Sequence, residues 1–149
     1  MIRNFVGTDA EACSKILAEC VDKQVELRDD AKTHIKENAT PQDFMERSKK
    51  MLIVVYEENE SILGMGALDK NEIRTMFTKI TSQGKGIGSK ILNYLESEAI
   101  KKGFDKVFLH SALNSVNFYK KKGYSYVRKL SEKKGGIILE NVLMEKKLI

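Results

Sequence analysis

Thr81-Ser82-Gln83-Gly84-Lys85-Gly86-Ile87-Gly88-Ser89-Lys90 is the stretch on which the reading of the whole chain turns. Before it, Glu72–Thr78 has the apolar and β-branched content of a strand. After it, Ile87, Ile91, Leu92, Leu95 and Ala99 recur at helical spacing. Lys90, Glu96 and Lys101 are expected on the opposite, solvated face, and Gly103 ends the helix. The segment is therefore a strand, a glycine turn and a helix. Its glycines permit a tight backbone and remove Cβ atoms that would hold a ligand away. Amides at the start of a helix lack intrahelical acceptors and sit at the positive end of the helix dipole. Such a turn suits a phosphate or pyrophosphate; the plainer alternative is a glycine-rich connection with no ligand.

Two common phosphate loops fail on spacing. A P-loop needs glycine five residues before its Gly-Lys pair, and Lys79 stands there. A dinucleotide fingerprint begun at Gly84 meets Ser89 at its third glycine, and one begun at Gly86 meets Ile91.

Working outward, Ile2–Val6 reads as an opening strand. Thr8 or Asp9 can cap a helix whose buried stripe holds Cys13, Ile16, Leu17 and Cys20. Val25–Ala39 is polar and without a clear period, compatible with a helix followed by a mobile loop. Thr40-Pro41-Gln42-Asp43 starts a helix running to about Lys50. Met51–Glu57, Ser61–Leu68 and Glu72–Thr78 are strands joined by short turns, hence antiparallel hairpins. Lys106–His110 is a strand, Asn114–Lys122 a short helix, Tyr124–Leu130 a strand, and Ile137–Leu148 a last strand after a Gly135-Gly136 turn. The order β-α-α-β-β-β-α-β-α-β-β fits one α/β domain over residues 1–149.

Gln83-x-x-Gly86-x-Gly88 resembles the Q/R-x-x-G-x-G/A motif of the GNAT superfamily of N-acetyltransferases, in that family's strand-to-helix context. A second segment, His110 to Tyr124, is similar to the family's later signature N-x-x-A-x-x-F-Y-E-K-L-G-F. Phe118-Tyr119, Lys121 and Gly123-Tyr124 stand at matching positions. The early asparagine of that signature falls on Ala112, so its polar contact is missing or made by Asn114, and Ser115 replaces a small apolar residue. From Met51 onward the resemblance covers the chain; before it, only element order supports the match.

The resemblance implies a GNAT fold, a mixed and mostly antiparallel twisted sheet of about seven strands flanked by about four helices. It implies acetyl-CoA as co-substrate, no metal, and direct attack of a primary amine on the thioester within a ternary complex. The cofactor would be held by Gln83, Gly84, Lys85, Gly86, Ile87, Gly88, Ser89 and Asn114, and by main-chain donors of Met76, Phe77 and Thr78 on a bulged strand. Fixed backbone donors of that kind stabilise an oxyanion without reorganising. Tyr119 matches the family's general acid for the thiolate; its alternative is a packed, satisfied phenol. Glu72 aligns with a carboxylate that some relatives use as base, against the alternative of a surface strand-start residue. His110 is the second candidate base, against a satisfied histidine. His34 lies in the unassigned region, within possible reach of a substrate.

The formal net charge of +5 favours an anionic partner. The lysines are scattered in short runs, Lys120–Lys122 among them, that read as solvated faces, and no groove-reading or base-stacking set accompanies them. A nucleic-acid domain is thus the lesser alternative; a sensor that holds acyl-CoA without turnover is another. Cys13 and Cys20 on one helix would lie ~10 Å apart, too far for a disulfide. Free thiols and an N-terminus lacking the apolar core of a secretory signal suggest a cytoplasmic protein outside any membrane. By the same resemblance the acceptor, a small molecule or a peptide amine, is chosen by Val25–Ala39 and Ser131–Ile138. Homodimers through the last strands occur in such proteins.

Overall fold

Alternation along the central strands sorts the core into two layers. In the computed structural model, which describes residues 1–149, the strands are β1 (Ile2–Asn4), β2 (Leu52–Glu58), β3 (Ser61–Asp69), β4 (Glu72–Thr78), β5 (Lys106–Ser111), β6 (Ser125–Lys134) and β7 (Ile137–Lys147). The helices are α1 (Ala10–Asp22), α2 (Asp29–Glu37), α3 (Pro41–Ser48), α4 (Ile87–Lys101) and α5 (Val116–Lys121). Successive strand residues face opposite sides. Val54, Leu68 and Ile73 therefore pack with Ile87, Ile91, Leu92, Leu95 and Ala99 of α4. Ile53, Val55, Met65 and Ala67 face the other way, onto Cys13, Ile16, Leu17 and Val21 of α1 and Phe44 of α3. Each such large apolar side chain, fully buried, contributes about 1.5–3 kcal/mol.

The seven strands form one sheet in the order β1-β2-β3-β4-β5-β7-β6. All neighbours are antiparallel except β4 and β5, which run parallel because α4 carries the chain across between them. The β6–β7 hairpin closes at Gly135 and Gly136, both at positive φ (57° and 85°), as a two-residue turn of the hairpin type requires. No helix is long and apolar enough to cross a membrane.

Several boundaries differ from the sequence expectation, each for a physical reason. Five helices flank the sheet, where about four are expected. Val25–Ala39 is a connection followed by α2, not a helix followed by a loop, and α2 buries only Ala31 fully, too thin a stripe to show as a period. β6 runs to Lys134 because it stays paired with β7 as far as Lys134–Ile137, a pairing that the charged, exposed residues of this edge strand hide. β1 stops at Asn4, and a 3₁₀ turn over Gly7–Asp9 follows. Asp9 holds the N-cap position of α1, yet its carboxylate turns back to accept from the Val6 amide (2.8 Å) and from Arg3. The Thr40 cap is as expected, with Asp43 N–H donating to Thr40 Oγ1 and the Asp43 carboxylate accepting from the Thr40 amide. Another 3₁₀ turn, Leu113–Ser115, takes the first residues of the expected Asn114 helix.

Candidate active site

The parallel pair that breaks the antiparallel pattern also opens the molecule. β4 and β5 pair only at Glu72–Phe108 and Ile73–Leu109 and then part. On its other side β4 keeps its partner β3, but with a bulge: Met65 lies opposite Phe77 and Ala67 opposite Arg74, so Gly66 faces two residues, Thr75 and Met76. Thr75 sits at φ 55°, in the left-handed region that a β-branched residue rarely occupies. Gly66 accommodates the bulge, since a Cβ there would lie 2.8 Å from Met76 Sδ and 2.6 Å from Ile91 Cγ2. Beyond Ile73, the β5-facing edge of β4 has no strand partner and becomes one wall of a cleft of about 1180 Å³. Met76, Phe77 and Thr78 line that wall; Asn114 and Tyr119 lie across from it.

At one end of this cleft stands the glycine turn. A 3₁₀ turn over Ile80–Ser82 follows β4, and Gln83 Nε2 donates to the Thr78 carbonyl at 3.1 Å, tying the turn back to the strand. Gly84 and Gly86 have φ of 81° and 82°, and a Cβ on either would meet no protein atom. The backbone conformation, rather than crowding by the protein, demands glycine there. The first intrahelical bond of α4 runs from Lys90 N–H to the Gly86 carbonyl, and no side chain caps the helix. The amides of Ile87, Gly88 and Ser89 thus point out of the helix start unbonded, at its positive end. Gln83, Gly84, Gly86, Ile87, Gly88 and Ser89 line the cleft; Lys85 is exposed and lies outside the lining. Lys121 and Lys122 line it too. In the sequence they pass for part of a solvated basic run, and only the position of α5 beside the turn shows their direction.

Tyr119 is buried on α5, flanked by the rings of Phe118 and Tyr124 at centroid distances of 5.1 and 5.7 Å. Burial pushes its phenol well above the usual tyrosine range, so it stays protonated. Tyr124 donates to Glu96 Oε2 at 2.7 Å, and Lys146 Nζ reaches the same carboxylate at 3.0 Å. Glu96 is therefore buried, not on the solvated face its helical position suggested. The partners that make burial tolerable come from β7 and from the residue just before β6, far along the chain.

Glu72 and His110, read separately as rival bases, are in contact: His110 Nδ1 lies 3.0 Å from Glu72 Oε2. The parallel register brings this about, since Glu72 pairs with Phe108, two residues before His110. Glu72 does not line the main cleft. It lines an adjoining cavity of about 370 Å³, together with His34 and His110, and His110 borders both spaces.

The cysteines are free. Cys13 is buried, and burial pushes its thiol up to about 12. Cys20 corrects the expectation of a core residue. It is half-buried and lines the cleft, where its thiol donates to the Thr78 carbonyl at 3.2 Å and burial raises it to about 11. Neither is a thiolate at neutral pH.

The acetyltransferase (GNAT) domain model matches residues 16–148, and the chain belongs to this family. Solved structures agree with the fold. A GCN5-related N-acetyltransferase from Rhodopseudomonas palustris superposes with TM-score 0.92 at 18% identity, over 99% of this chain and 95% of that one. The PaiA N-acetyltransferase from Thermoplasma acidophilum, solved in complex with coenzyme A, gives 0.77 at 21% identity, over 99% and 98%. A ribosomal-protein-alanine N-acetyltransferase from Brucella melitensis gives 0.74 at 18% identity, over 99% of both chains. No match is found among curated protein sequences.

Proposed function

We propose that the protein transfers the acetyl group of acetyl-CoA to a primary amine by direct attack. The observation that carries this reading is the meeting, in one cleft, of unbonded amides at the start of α4, an unpaired bulged edge of β4 and a protonated, buried phenol. The diphosphate linker of coenzyme A would lie against the Gly84–Ser89 amides, with Lys121 and Lys122 adding positive charge. The pantetheine arm would run along Met76, Phe77 and Thr78, and amides of that edge would polarise the acetyl carbonyl.

The acceptor arrives as an ammonium and must lose a proton before its nitrogen lone pair can attack. The Glu72–His110 pair, at the end of the cleft where β4 and β5 still meet, takes that proton. The nitrogen bonds to the carbonyl carbon, and the thioester C–S bond then breaks. Tyr119 gives its proton to the departing thiolate, and the surplus proton shed by the new amide nitrogen restores the phenol. The products are an N-acetylated amine and free coenzyme A. Both thiols are protonated at neutral pH, which argues against an acetyl-cysteine intermediate.

Steady-state kinetics on Tyr119→Phe tests this. The expected result is a fall in kcat of ~10²-fold or more, with the affinity for acetyl-CoA nearly unchanged. An unaltered kcat removes Tyr119 from the mechanism. Uptake of acetyl-CoA without transfer to any amine identifies a sensor instead.

A further inference from the structure

We infer that the acceptor is a small amine carrying its own anionic group, a carboxylate or a phosphate, rather than a polyamine. The inference rests on the acetyl-transfer reading and concerns the cavity beside the Glu72–His110 pair. At about 370 Å³ this cavity is near the lower end of the ~300–1,000 Å³ that small-molecule sites occupy. Apolar walls come from Leu17, Ile35 and Leu139. Its polar groups decide the matter.

Glu72 is the only carboxylate lining this cavity, and one of its oxygens is already engaged by His110. Against it stand Arg47, Arg74 and His34. Arg47, half-buried on α3, donates through Nη2 to the Asn38 carbonyl, which spends one of its five donors and none of its charge. No carboxylate pairs with it. Arg74 projects from the same face of β4 as Glu72, two residues on. Its only ion-pair partner is Asp69 at 3.4 Å, a loose exposed pair of the kind that contributes little.

Such a cavity is asymmetric: one end receives a single ammonium, and the rest holds two guanidinium groups, Arg47 with no carboxylate partner and Arg74 with only the loosely held Asp69. A polyamine would place its second ammonium among the arginines and be repelled. An amino acid or an aminoalkyl phosphate would place its anion there, where guanidinium groups bind carboxylate and phosphate through paired donors. With the anion so held, the amine of such a molecule lies next to Glu72 and His110. That pair takes a proton from the ammonium, the freed nitrogen lone pair attacks the acetyl carbon, and coenzyme A leaves as the thiol.

Matched acceptors test this with the intact protein. The set is the common α-amino acids against their amides, phosphoethanolamine against ethanolamine, and a short diamine. Acetylated products are read by mass spectrometry, and acetyl-CoA uptake is read separately by calorimetry. Expected is a kcat/KM at least ~10-fold higher for the anionic member of a productive pair; the productive pair tells carboxylate from phosphate. Arg74→Gln should raise KM for that acceptor ~10-fold while leaving KM for its uncharged partner unchanged, a split that a general loss of fold would not produce. Acetyl-CoA uptake with equal or better transfer to the amides or the diamine, or with no transfer to any anionic amine of the set, overturns the inference and leaves the parent reading standing. Absence of acetyl-CoA uptake overturns both.

Discussion

The two ends of the cleft are built by different means. The α4 end presents main-chain amides, released by glycines at φ 81° and 82° and aligned by a helix dipole. Beside the opposite end, where β4 and β5 still touch, an adjoining cavity presents side chains: Glu72, His110, Arg74, Arg47 and His34, drawn from two strands and two helices. Backbone donors make a site whose chemistry depends little on which residues flank it, suited to a ligand part that never changes. Side-chain sites can be altered one residue at a time, suited to a variable acceptor. Substitutions at the two ends should therefore have separable effects.

The largest effect is expected at the side-chain end. Glu72→Gln together with His110→Ala should lower kcat/KM for the amine ~10²–10⁴-fold, with calorimetric affinity for acetyl-CoA kept. A parallel loss of cofactor binding would show that the two ends are not independent. At the backbone end, Gly86→Val places a β-branched residue at φ 82°, a strain of about 1–3 kcal/mol. Acetyl-CoA should bind ~10-fold more weakly, and the KM of the amine should hold. The bulge between the two ends can be probed through stability. Gly66→Ala puts a Cβ within 2.6–2.9 Å of Ile91, Met76 and Leu95. Denaturant unfolding should show a loss of about 1–3 kcal/mol; an unchanged midpoint would mean that the bulge yields easily.

The smallest effects concern the thiols. Cys20 should react slowly with a soluble disulfide reagent at pH 7. Its rate should climb toward pH 11, and acetyl-CoA should protect it, because it lines the same cleft. The linkage has a definite sign. The folded thiols hold their protons above the ordinary value of 9.0, up to about 11 for Cys20 and about 12 for Cys13. The unfolded chain loses its protons first, so this contribution to stability is full below pH 9 and declines as pH rises toward about 11 for Cys20 and about 12 for Cys13. Replacing both cysteines by alanine should flatten that alkaline decline.

The same contrast explains what the sequence discloses. The glycine turn is legible because its information is contiguous: a strand, ten residues and an amphipathic helix carry it all. Strand number and order follow from alternation and short turns. The Glu72–His110 contact depends on the register of a parallel pair whose strands are separated by the whole of α4, and no local pattern reports it. Burial of Glu96 likewise needs Tyr124 and Lys146 to arrive from the far end of the chain. Cys20 has the spacing of a core residue, but α1 reaches the cleft at its last turn and turns the thiol toward Thr78. Positions that answer to distant partners are those a helical or strand period misassigns.

The diphosphate cradle proposed at the start of α4 is tested most directly by titrating the wild-type protein in a calorimeter with coenzyme A and then with pantetheine, which lacks the diphosphate and the phosphoadenosine joined through it. If the Gly84–Ser89 amides hold that linker, coenzyme A should bind at least ~100-fold more tightly, equivalent to about 2.7 kcal/mol. Equal affinities for the two ligands, or no uptake of coenzyme A, would contradict it.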